Sequence, residues 1–241
     1  MPHRLLGLLF AAALAMDGCS PEYGSIPPEQ PRAFRVPLPP SDSTLCLFSV
    51  PRDYDPARPW PLLVALHGYG SGAEPFHDLW STTASEAGFV LVTPQGEERA
   101  REGYGWSWGE RAGDVVGSSI DYLRRRVHID PARISLIGFS QGGMLARRLA
   151  LEHPRHFHGL ALLGTPFRDS IPPGSLEGIR IYIGRGELEP DLDEARRAAA
   201  TWRQDGCATH LAVYPGIGHG LPDPPAAELA RVLAFLRAGV P

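Results

Sequence analysis

The sequence predicts an α/β fold with a mainly parallel central sheet and helices on both faces. Short, strongly apolar runs alternate along the chain with segments of helical periodicity, the arrangement expected of repeated βαβ units. Some runs are apolar at nearly every position, as at 62–66, which indicates strands that helices cover on both sides. Glycine-rich segments follow several runs, at the strand ends where parallel sheets bind their ligands.

Seven apolar runs are predicted strands, at residues 45–50, 62–66, 89–93, 134–137, 160–163, 179–183 and 211–214. Five helices are predicted among them, at about 73–87, 114–127, 141–153, 193–205 and 225–238. The last one carries Leu229, Val232, Leu233 and Leu236 at the i, i+3, i+4, i+7 spacing of a single apolar stripe. That stripe predicts a helix that packs against the sheet.

Residues 1–20 predict an export signal. A basic start at 3–4 precedes an apolar run at 5–16 that is short for a membrane-spanning helix. Two interpretations stay open: a secretory signal with a small-x-small cleavage site at 13–15, and a lipoprotein signal in which Cys19 becomes lipidated. Both predict an exported protein, whether periplasmic, secreted or held at a membrane by an N-terminal lipid anchor. A cytosolic chain with a frayed start is the third alternative.

The segment 21–40 contains seven prolines. Because proline fixes φ and removes a hydrogen-bond donor, this composition predicts an extended linker. Residues 41–241 are then the predicted folded domain, a length that suits one compact unit.

Composition excludes some classes of function. A net charge of −4 and a pI near 6.1 provide no positive field that would gather nucleic acid. No cysteine and histidine spacing is typical of a metal site, so we expect neither a metal nor another cofactor.

The strongest chemical signal is the sequence GFSQG at 138–142, which follows a predicted strand and opens a predicted helix. This is the G-x-S-x-G pattern of a nucleophile elbow, in which flanking glycines permit a tight turn. The turn raises the hydroxyl of Ser140 above the sheet, near a helix N-terminus that favours developing negative charge. Ser140 is therefore the candidate nucleophile; an ordinary N-cap serine in a glycine-rich turn is the alternative.

A second signal is HGYG at 67–70, at the end of an earlier predicted strand. A loop of this kind directs a backbone N–H into an oxyanion hole, and we assign that donor to Tyr69. Its predicted partner is the N–H of Gln141, the residue after the nucleophile. His67 precedes the nucleophile in the chain and is interpreted as a loop-packing histidine hydrogen-bonded to backbone.

A serine hydroxyl needs a base, and an imidazole with a pKa near neutrality suits that role. Of the nine histidines, only His219 lies beyond the last predicted strand on the expected catalytic edge. Glycines on both sides allow its loop to carry the ring inward. His219 is the predicted base.

The acid should follow the penultimate predicted strand, which gives the order serine, acid, histidine. Four carboxylates lie between 187 and 193. Either Asp or Glu can orient the imidazole and stabilise the imidazolium. Glu189 is the preferred candidate, with Asp191 kept as the alternative.

With these residues in place, the chain resembles the phospholipase/carboxylesterase group of α/β-hydrolases, which includes bacterial carboxylesterases and acyl-protein thioesterases. The segments GFSQGG at 138–143 and IDPARI at 129–134 carry the resemblance, which covers about 45–238. The exported, tethered layout is also similar to secreted feruloyl-esterase and polyhydroxybutyrate-depolymerase relatives. The group places its acid in a G-x-x-D turn, which 186–189 match with Glu in place of Asp.

The resemblance implies an α/β-hydrolase fold and a serine hydrolase that cleaves carboxylic esters through a catalytic triad, with a small molecule or an acyl or aryl ester as its substrate. The segment between the predicted strands at 160–163 and 179–183 is too short for a large cap domain, so an open site is expected. Acyl transfer or thioester cleavage on the same triad, and a non-catalytic binding protein of this fold, are the alternatives.

The resemblance also bears on two other features. In this fold the strands beside Cys46 and Cys207 lie toward opposite edges of the sheet, which predicts two buried free thiols instead of a disulfide. The segment GWSWG at 105–109 falls in a loop whose tryptophans either wall the acyl or aryl pocket or fill the edge of the core. Both interpretations stay open.

Overall fold

The computed structural model describes residues 23–24, 26–27, 31–38, 42–167 and 174–238. The strands there are β1 (Arg32–Leu38), β2 (Asp42–Ser49), β3 (Trp60–Leu66), β4 (Val90–Pro94), β5 (Glu98–Arg99), β6 (Tyr104–Gly105), β7 (Ile129–Phe139), β8 (Gly159–Leu163), β9 (Arg180–Gly186) and β10 (Thr209–Tyr214). The helices are α1 (Ala73–Glu86), α2 (Glu110–Arg124), α3 (Gln141–Glu152), α4 (Leu192–Gln204) and α5 (Ala226–Arg237).

Eight strands form one sheet in the order β1-β2-β4-β3-β7-β8-β9-β10. The six strands from β4 to β10 in that order run parallel, whereas β1 and β2 pair antiparallel at one side. The short strands β5 and β6 form a separate hairpin. The prediction of a mainly parallel sheet with crossover helices is confirmed.

The sheet is covered on both faces. Leu62, Val64 and Leu66 of β3 pack in a core cluster with α2, α3 and α4, whereas Leu63 and Ala65 pack in a second cluster with α1 and α5. Alternate residues of one strand thus enter opposite cores, as the two-residue period of a strand requires. Every residue of β3 is buried, which explains why its sequence is apolar throughout.

This architecture positions the candidate site. In parallel strands the carboxyl ends meet at one edge of the sheet, so the loops after β3, β7, β8, β9 and β10 emerge together. We call this edge, with those loops, the carboxyl edge.

The linker prediction was wrong over residues 32–38, which form β1 at the side of the sheet. Phe34, Val36 and Leu38 are buried and alternate with exposed residues, a strand pattern that the prolines obscured. Pro37 is tolerated because an edge strand leaves one row of backbone groups unpaired. Part of the segment before β1 also contacts the domain, since the ring of Tyr23 stacks on His128 at 4.6 Å.

The largest differences from the predicted element boundaries are in α2 and β7. α2 spans 110–124 instead of 114–127, and β7 begins at Ile129, upstream of the apolar run at 134–137. Ile129 pairs with Trp60 across an irregularity in the β3–β7 ladder, which extends the strand through its polar segment.

The export prediction for residues 1–20, with Cys19, lies outside the described residues. Within the described part of the chain, no helix has the length and apolar character needed to cross a membrane. Cys46 in β2 and Cys207 before β10 are both buried free thiols. That agrees with the expectation, since β2 and β10 lie near opposite ends of the strand order.

Candidate active site

Ser140 occupies a strained turn between β7 and α3. Its φ of 53° and ψ of −116° make it the one non-glycine with positive φ among the described residues. Such a conformation costs on the order of 1–3 kcal/mol and persists only where the surrounding structure enforces it. The strand and helix that enclose the turn therefore hold the Ser140 hydroxyl at the carboxyl edge.

Glycines permit the turn by close backbone approach. A Cβ on Gly138 would lie 2.4 Å from the backbone of Gly142, and one on Gly142 would lie 2.1 Å from the carbonyl oxygen of Leu66. Neither position accommodates a side chain, so the start of α3 packs directly on the ends of β7 and β3. This is the steric reason for both glycines of the GFSQG pattern.

His219 is in contact with the nucleophile. Its Nε2 lies 2.9 Å from Ser140 Oγ, and its ring centroid lies 5.1 Å from that of Phe139. The histidine belongs to the loop after β10, and its side chain is 49% exposed. A ring in this position has access both to the serine hydroxyl and to solvent.

Glu189 lies on the other side of the imidazole. Its Oε2 is 3.2 Å from His219 Nδ1, and its side chain is only 5% exposed. In the tautomer with the proton on Nδ1, the ring donates to Glu189 and Nε2 accepts from Ser140. The structure thus brings Ser140, His219 and Glu189 into one line of contacts.

Asp191 has other partners. It pairs with the guanidinium of Arg185, and its Oδ2 accepts a hydrogen bond of 2.8 Å from the backbone N–H of Phe167. The same Arg185 contacts Glu189 through Nη2 at 2.6 Å. Of the two acid candidates, Glu189 is the one in contact with His219.

Arg185 is the site residue that the sequence reasoning missed. It lies in β9 among apolar residues and is 1% exposed, and its Nη1 donates to the carbonyl of Thr165 at 2.8 Å. An arginine inside an otherwise apolar strand must have charged or polar partners when it is buried. The single arginine in the otherwise apolar segment 181–186 could therefore have indicated a buried charged cluster.

The acid turn and the histidine loop are joined through backbone. Leu188 N–H donates to Ile217 O at 2.9 Å, and Glu187 accepts from Gly216 N–H at 2.8 Å. A Cβ on Gly186 would lie 2.0 Å from Gly218 O, so the two segments touch. These contacts fix His219 and Glu189 relative to each other.

The two predicted oxyanion donors belong to segments that meet at the nucleophile elbow. Gln141 is the first residue of α3, and the loop with Tyr69 lies against the elbow, since a Cβ on Gly68 would be 3.6 Å from Ser140 Cβ. In the described residues neither the N–H of Tyr69 nor that of Gln141 has a protein acceptor. Both N–H groups thus meet one requirement of an oxyanion donor, which is to have no acceptor within the protein.

His67 supports this loop from inside the protein. It is completely buried, its Nε2 accepts from Gly96 N–H at 2.9 Å, and its Nδ1 contacts Gly68 O at 2.8 Å. Burial lowers the pKa of His67, so the ring is neutral at pH 7. The interpretation of His67 as a loop-packing histidine agrees with these contacts.

The two loop tryptophans divide between the two interpretations. Trp106 is 1% exposed and donates from Nε1 to His67 O at 2.8 Å, so it fills the edge of the core. The side-chain amide of Gln141 makes two hydrogen bonds to the backbone of Trp106, of 3.1 and 2.9 Å. Trp108 is 68% exposed, so of the two tryptophans it alone has a ring surface open to a ligand.

Among the described residues, no group of three or more His, Cys, Asp or Glu side chains is arranged to hold a metal ion.

Comparisons with other proteins agree with this fold. A putative esterase, NocK, from Nocardia uniformis subsp. tsuyamanensis is 32% identical over 195 residues, which cover 74% of this chain and 52% of that protein. Poly(3-hydroxyalkanoate) depolymerase C from Paucimonas lemoignei is 28% identical over 119 residues, which cover 45% of this chain and 28% of the depolymerase. The chain thus spans about half of the first relative and about a quarter of the second.

Solved structures of the same fold include EstE1, a thermophilic carboxylesterase cloned from a metagenomic library, and a bacterial heroin esterase. EstE1 superposes with a TM-score of 0.70 at 16% identity, covering 90% of this chain and 92% of its own. The heroin esterase gives a TM-score of 0.70 at 20% identity, covering 87% and 85%. A family model described as the alpha/beta hydrolase fold matches residues 61–204, more than half of the sequence. The chain therefore belongs to the α/β-hydrolase fold family.

Proposed function

We propose that this chain is a serine hydrolase that cleaves carboxylic esters through an acyl-enzyme on Ser140. The observation that carries the proposal is the line of contacts from Ser140 Oγ through the His219 imidazole to buried Glu189. The similarity to a putative esterase and to a polyester depolymerase adds support.

In the acylation step, His219 Nε2 accepts the proton of Ser140 as Oγ attacks the ester carbonyl carbon. Glu189 holds the ring in the required tautomer and stabilises the imidazolium that forms. When the tetrahedral intermediate collapses, the bond from carbon to the alcohol oxygen breaks, and the imidazolium proton passes to that oxygen. The acyl group remains on Ser140.

The oxygen that becomes negative in the tetrahedral intermediate is placed between the N–H groups of Tyr69 and Gln141. Fixed donors of this kind contribute about 3 kcal/mol each in other serine hydrolases. The N-terminal end of α3 adds a favourable field for the same charge.

In the deacylation step, His219 takes a proton from water as the water oxygen attacks the acyl carbon. Collapse of the second intermediate breaks the bond to Ser140 Oγ, which receives the proton back from the imidazolium. The exposed position of His219 supports this role for water, because its ring is reached from solvent.

The substrate that we propose is an ester with an apolar acyl or aryl group. Tyr69, Trp108 and Leu188 are each about two-thirds exposed, at 65%, 68% and 67%. Tyr69 and Leu188 lie in loops of the carboxyl edge, and Trp108 lies in the loop that Gln141 anchors. Exposed apolar side chains in the loops around a candidate site are typical of a surface that contacts apolar ligands.

A panel of p-nitrophenyl and feruloyl esters tests the proposal with purified protein. We expect hydrolysis that increases from acetyl to larger apolar acyl groups and that disappears in Ser140→Ala. Equal hydrolysis by the wild type and Ser140→Ala would reject it.

We also propose that the chain is exported by a signal within residues 1–20, either a secretory signal cleaved near 13–15 or a lipoprotein signal cleaved before Cys19. The intact mass of protein from the membrane and soluble fractions tests this. A mature N-terminus at Cys19 with the added mass of acyl chains identifies the lipoprotein signal, an unmodified N-terminus near 16 identifies the secretory one, and a protein that retains Met1 would contradict export.

A further inference from the structure

A buried arginine stands behind the carboxylate that contacts the candidate base. Arg185 Nη2 lies 2.6 Å from Glu189 Oε2, the same oxygen that lies 3.2 Å from His219 Nδ1. One carboxylate oxygen is thus shared between a permanent cation and a ring that becomes cationic during turnover. The permanent cation is the closer of the two.

This sharing creates an electrostatic problem for catalysis. A guanidinium beside Glu189 offsets the negative charge that the imidazolium needs, and in a buried site water screens little of that effect. With Arg185 and Glu189 alone, the pair behind His219 would be neutral overall.

Asp191 supplies the missing charge. It pairs with Arg185 Nη2 through Oδ1, so that Arg185, Glu189 and Asp191 together carry one net negative charge. Its other oxygen accepts from Phe167 N–H at 2.8 Å, which ties Asp191 to the segment after β8 independently of the arginine. Asp191 is therefore held beside Arg185 by partners other than His219.

We propose that Arg185 and Asp191 are positioning residues for the hydrolysis put forward above, on which this inference rests. Arg185 fixes the Glu189 carboxylate toward His219, and Asp191 offsets the charge of Arg185 so that Glu189 acts on the imidazole as a full anion. This division of roles explains why two carboxylates pair with Arg185 although Glu189 alone of the two contacts the histidine.

The other charged groups of the elements around His219 stay unchanged in the variants that test the inference. Glu187 binds Gly216 N–H in the histidine's own loop, and Asp223 follows further along that loop. From β7 and the segment after β8 come the uncharged Phe139 ring and Gly164, where a Cβ would lie 3.4 Å from His219 Cε1. Ser140 completes the contacts.

The pH dependence of kcat/KM tests the inference, because its acidic limb reports the ionisation of the base in the free enzyme. Asp191→Asn keeps the shape of the side chain and removes its charge. We expect the acidic limb to move to lower pH by roughly one unit, since the imidazolium loses a net negative neighbour. The plateau value of kcat should fall about tenfold or more, as the imidazolium is less stabilised in the transition state.

A double variant separates charge from structure. In Arg185→Met with Asp191→Asn, both added charges are absent and Glu189 again acts as a lone anion, so the limb should return to within about 0.3 unit of the wild type. Asp193→Asn is the matched control, because Asp193 lies in the same segment but its side chain is 73% exposed and pairs with Arg196. Its limb should coincide with that of the wild type.

The inference would be overturned if the acidic limb of kcat/KM did not move in folded Asp191→Asn. It would also be overturned if the double variant kept the same shift as Asp191→Asn alone. The proposed hydrolysis is judged separately, by ester turnover and covalent labelling of Ser140 in the wild type. If the wild type hydrolyses esters but the acidic limb does not move in the variants, only the inference about Arg185 and Asp191 is rejected.

Discussion

The nucleophile elbow and the acid turn lie at the same edge of the sheet, but different forces build them. The elbow is made of backbone: Gly138 and Gly142 allow contacts in which a Cβ would lie 2.4 and 2.1 Å from neighbouring backbone. The acid turn is made of side chains, in which Arg185 binds Glu189 and Asp191 in a buried cluster. The elbow thus depends on the sterics of five adjacent residues, whereas the acid turn depends on which carboxylates pair with Arg185.

This difference explains how each region tolerates change. Where a turn is fixed by close backbone packing, an added Cβ collides with backbone that has no room to move away. A cluster of one arginine and two carboxylates can redistribute its hydrogen bonds, so its failures should appear in charge and pH dependence before they appear in the fold.

The largest expected effect is at the elbow. Ser140→Ala should lower kcat/KM for p-nitrophenyl esters by about 10⁴-fold or more, because no acyl-enzyme can form. Steady-state kinetics on purified protein measure this, with Ser81→Ala on α1 as the control, for which no change is expected. Residual turnover within tenfold of the wild type would place the nucleophile elsewhere.

The next largest effect distinguishes the two carboxylates of the acid turn. Glu189→Gln should lower kcat by about 10³-fold, since the imidazolium loses its anionic partner while the side-chain volume is kept. Asp191→Asn should cost clearly less. Equal losses, or a near-wild-type Glu189→Gln, would show that the contact of 3.2 Å does not identify the acid.

A stability measurement tests the steric account of the elbow. Gly142→Ala forces a Cβ against Leu66 O, so we expect the free energy of unfolding to fall by about 2 kcal/mol or more. Gly113→Ala in the interior of α2 is the control, where the nearest atom to the new Cβ is Leu149 Cδ2 at 3.4 Å. Its Tm should be unchanged or raised, because alanine is favoured over glycine in a helix. Similar losses in both would contradict the account.

A stability effect without any expected change in activity separates acid unfolding from titration of the site. His77 is fully buried on α1, and burial lowers its pKa to about 4. Between pH 6.5 and 4 the unfolded chain binds a proton that the folded protein does not, so stability present above pH 6.5 is lost as the pH falls. The loss is on the order of 3 kcal/mol over that range.

Urea denaturation at several pH values measures this loss. His77→Gln should flatten the dependence between pH 6.5 and 4 while the acidic limb of kcat/KM stays in place. An unchanged slope in that variant would show that His77 does not cause the acid sensitivity.

The features that the sequence predicted correctly are those that depend on the local pattern of residues. The apolar runs located the parallel strands, because a strand that is covered on both faces must be apolar at nearly every position. The glycines of the elbow marked the turn at Ser140, since their spacing follows from sterics. His219 was identified by its place after the last strand.

What the sequence did not resolve depends on tertiary partners. Glu189 and Asp191 are two residues apart, and only the folded turn shows that Glu189 contacts His219 while Asp191 contacts Arg185. The prolines of the linker concealed β1, whose strand exists because Phe34, Val36 and Leu38 pack on the core. Trp106 and Trp108 have similar local sequences, yet the first is buried and the second exposed.

The central claim is that Ser140 is an activated nucleophile, and covalent labelling tests it most directly. A fluorophosphonate reacted with the folded protein, followed by peptide mass mapping, should give one adduct, on Ser140. The adduct should be absent in Ser140→Ala and should form far more slowly in Glu189→Gln. Folded wild-type protein that remains unlabelled at Ser140 would contradict the account.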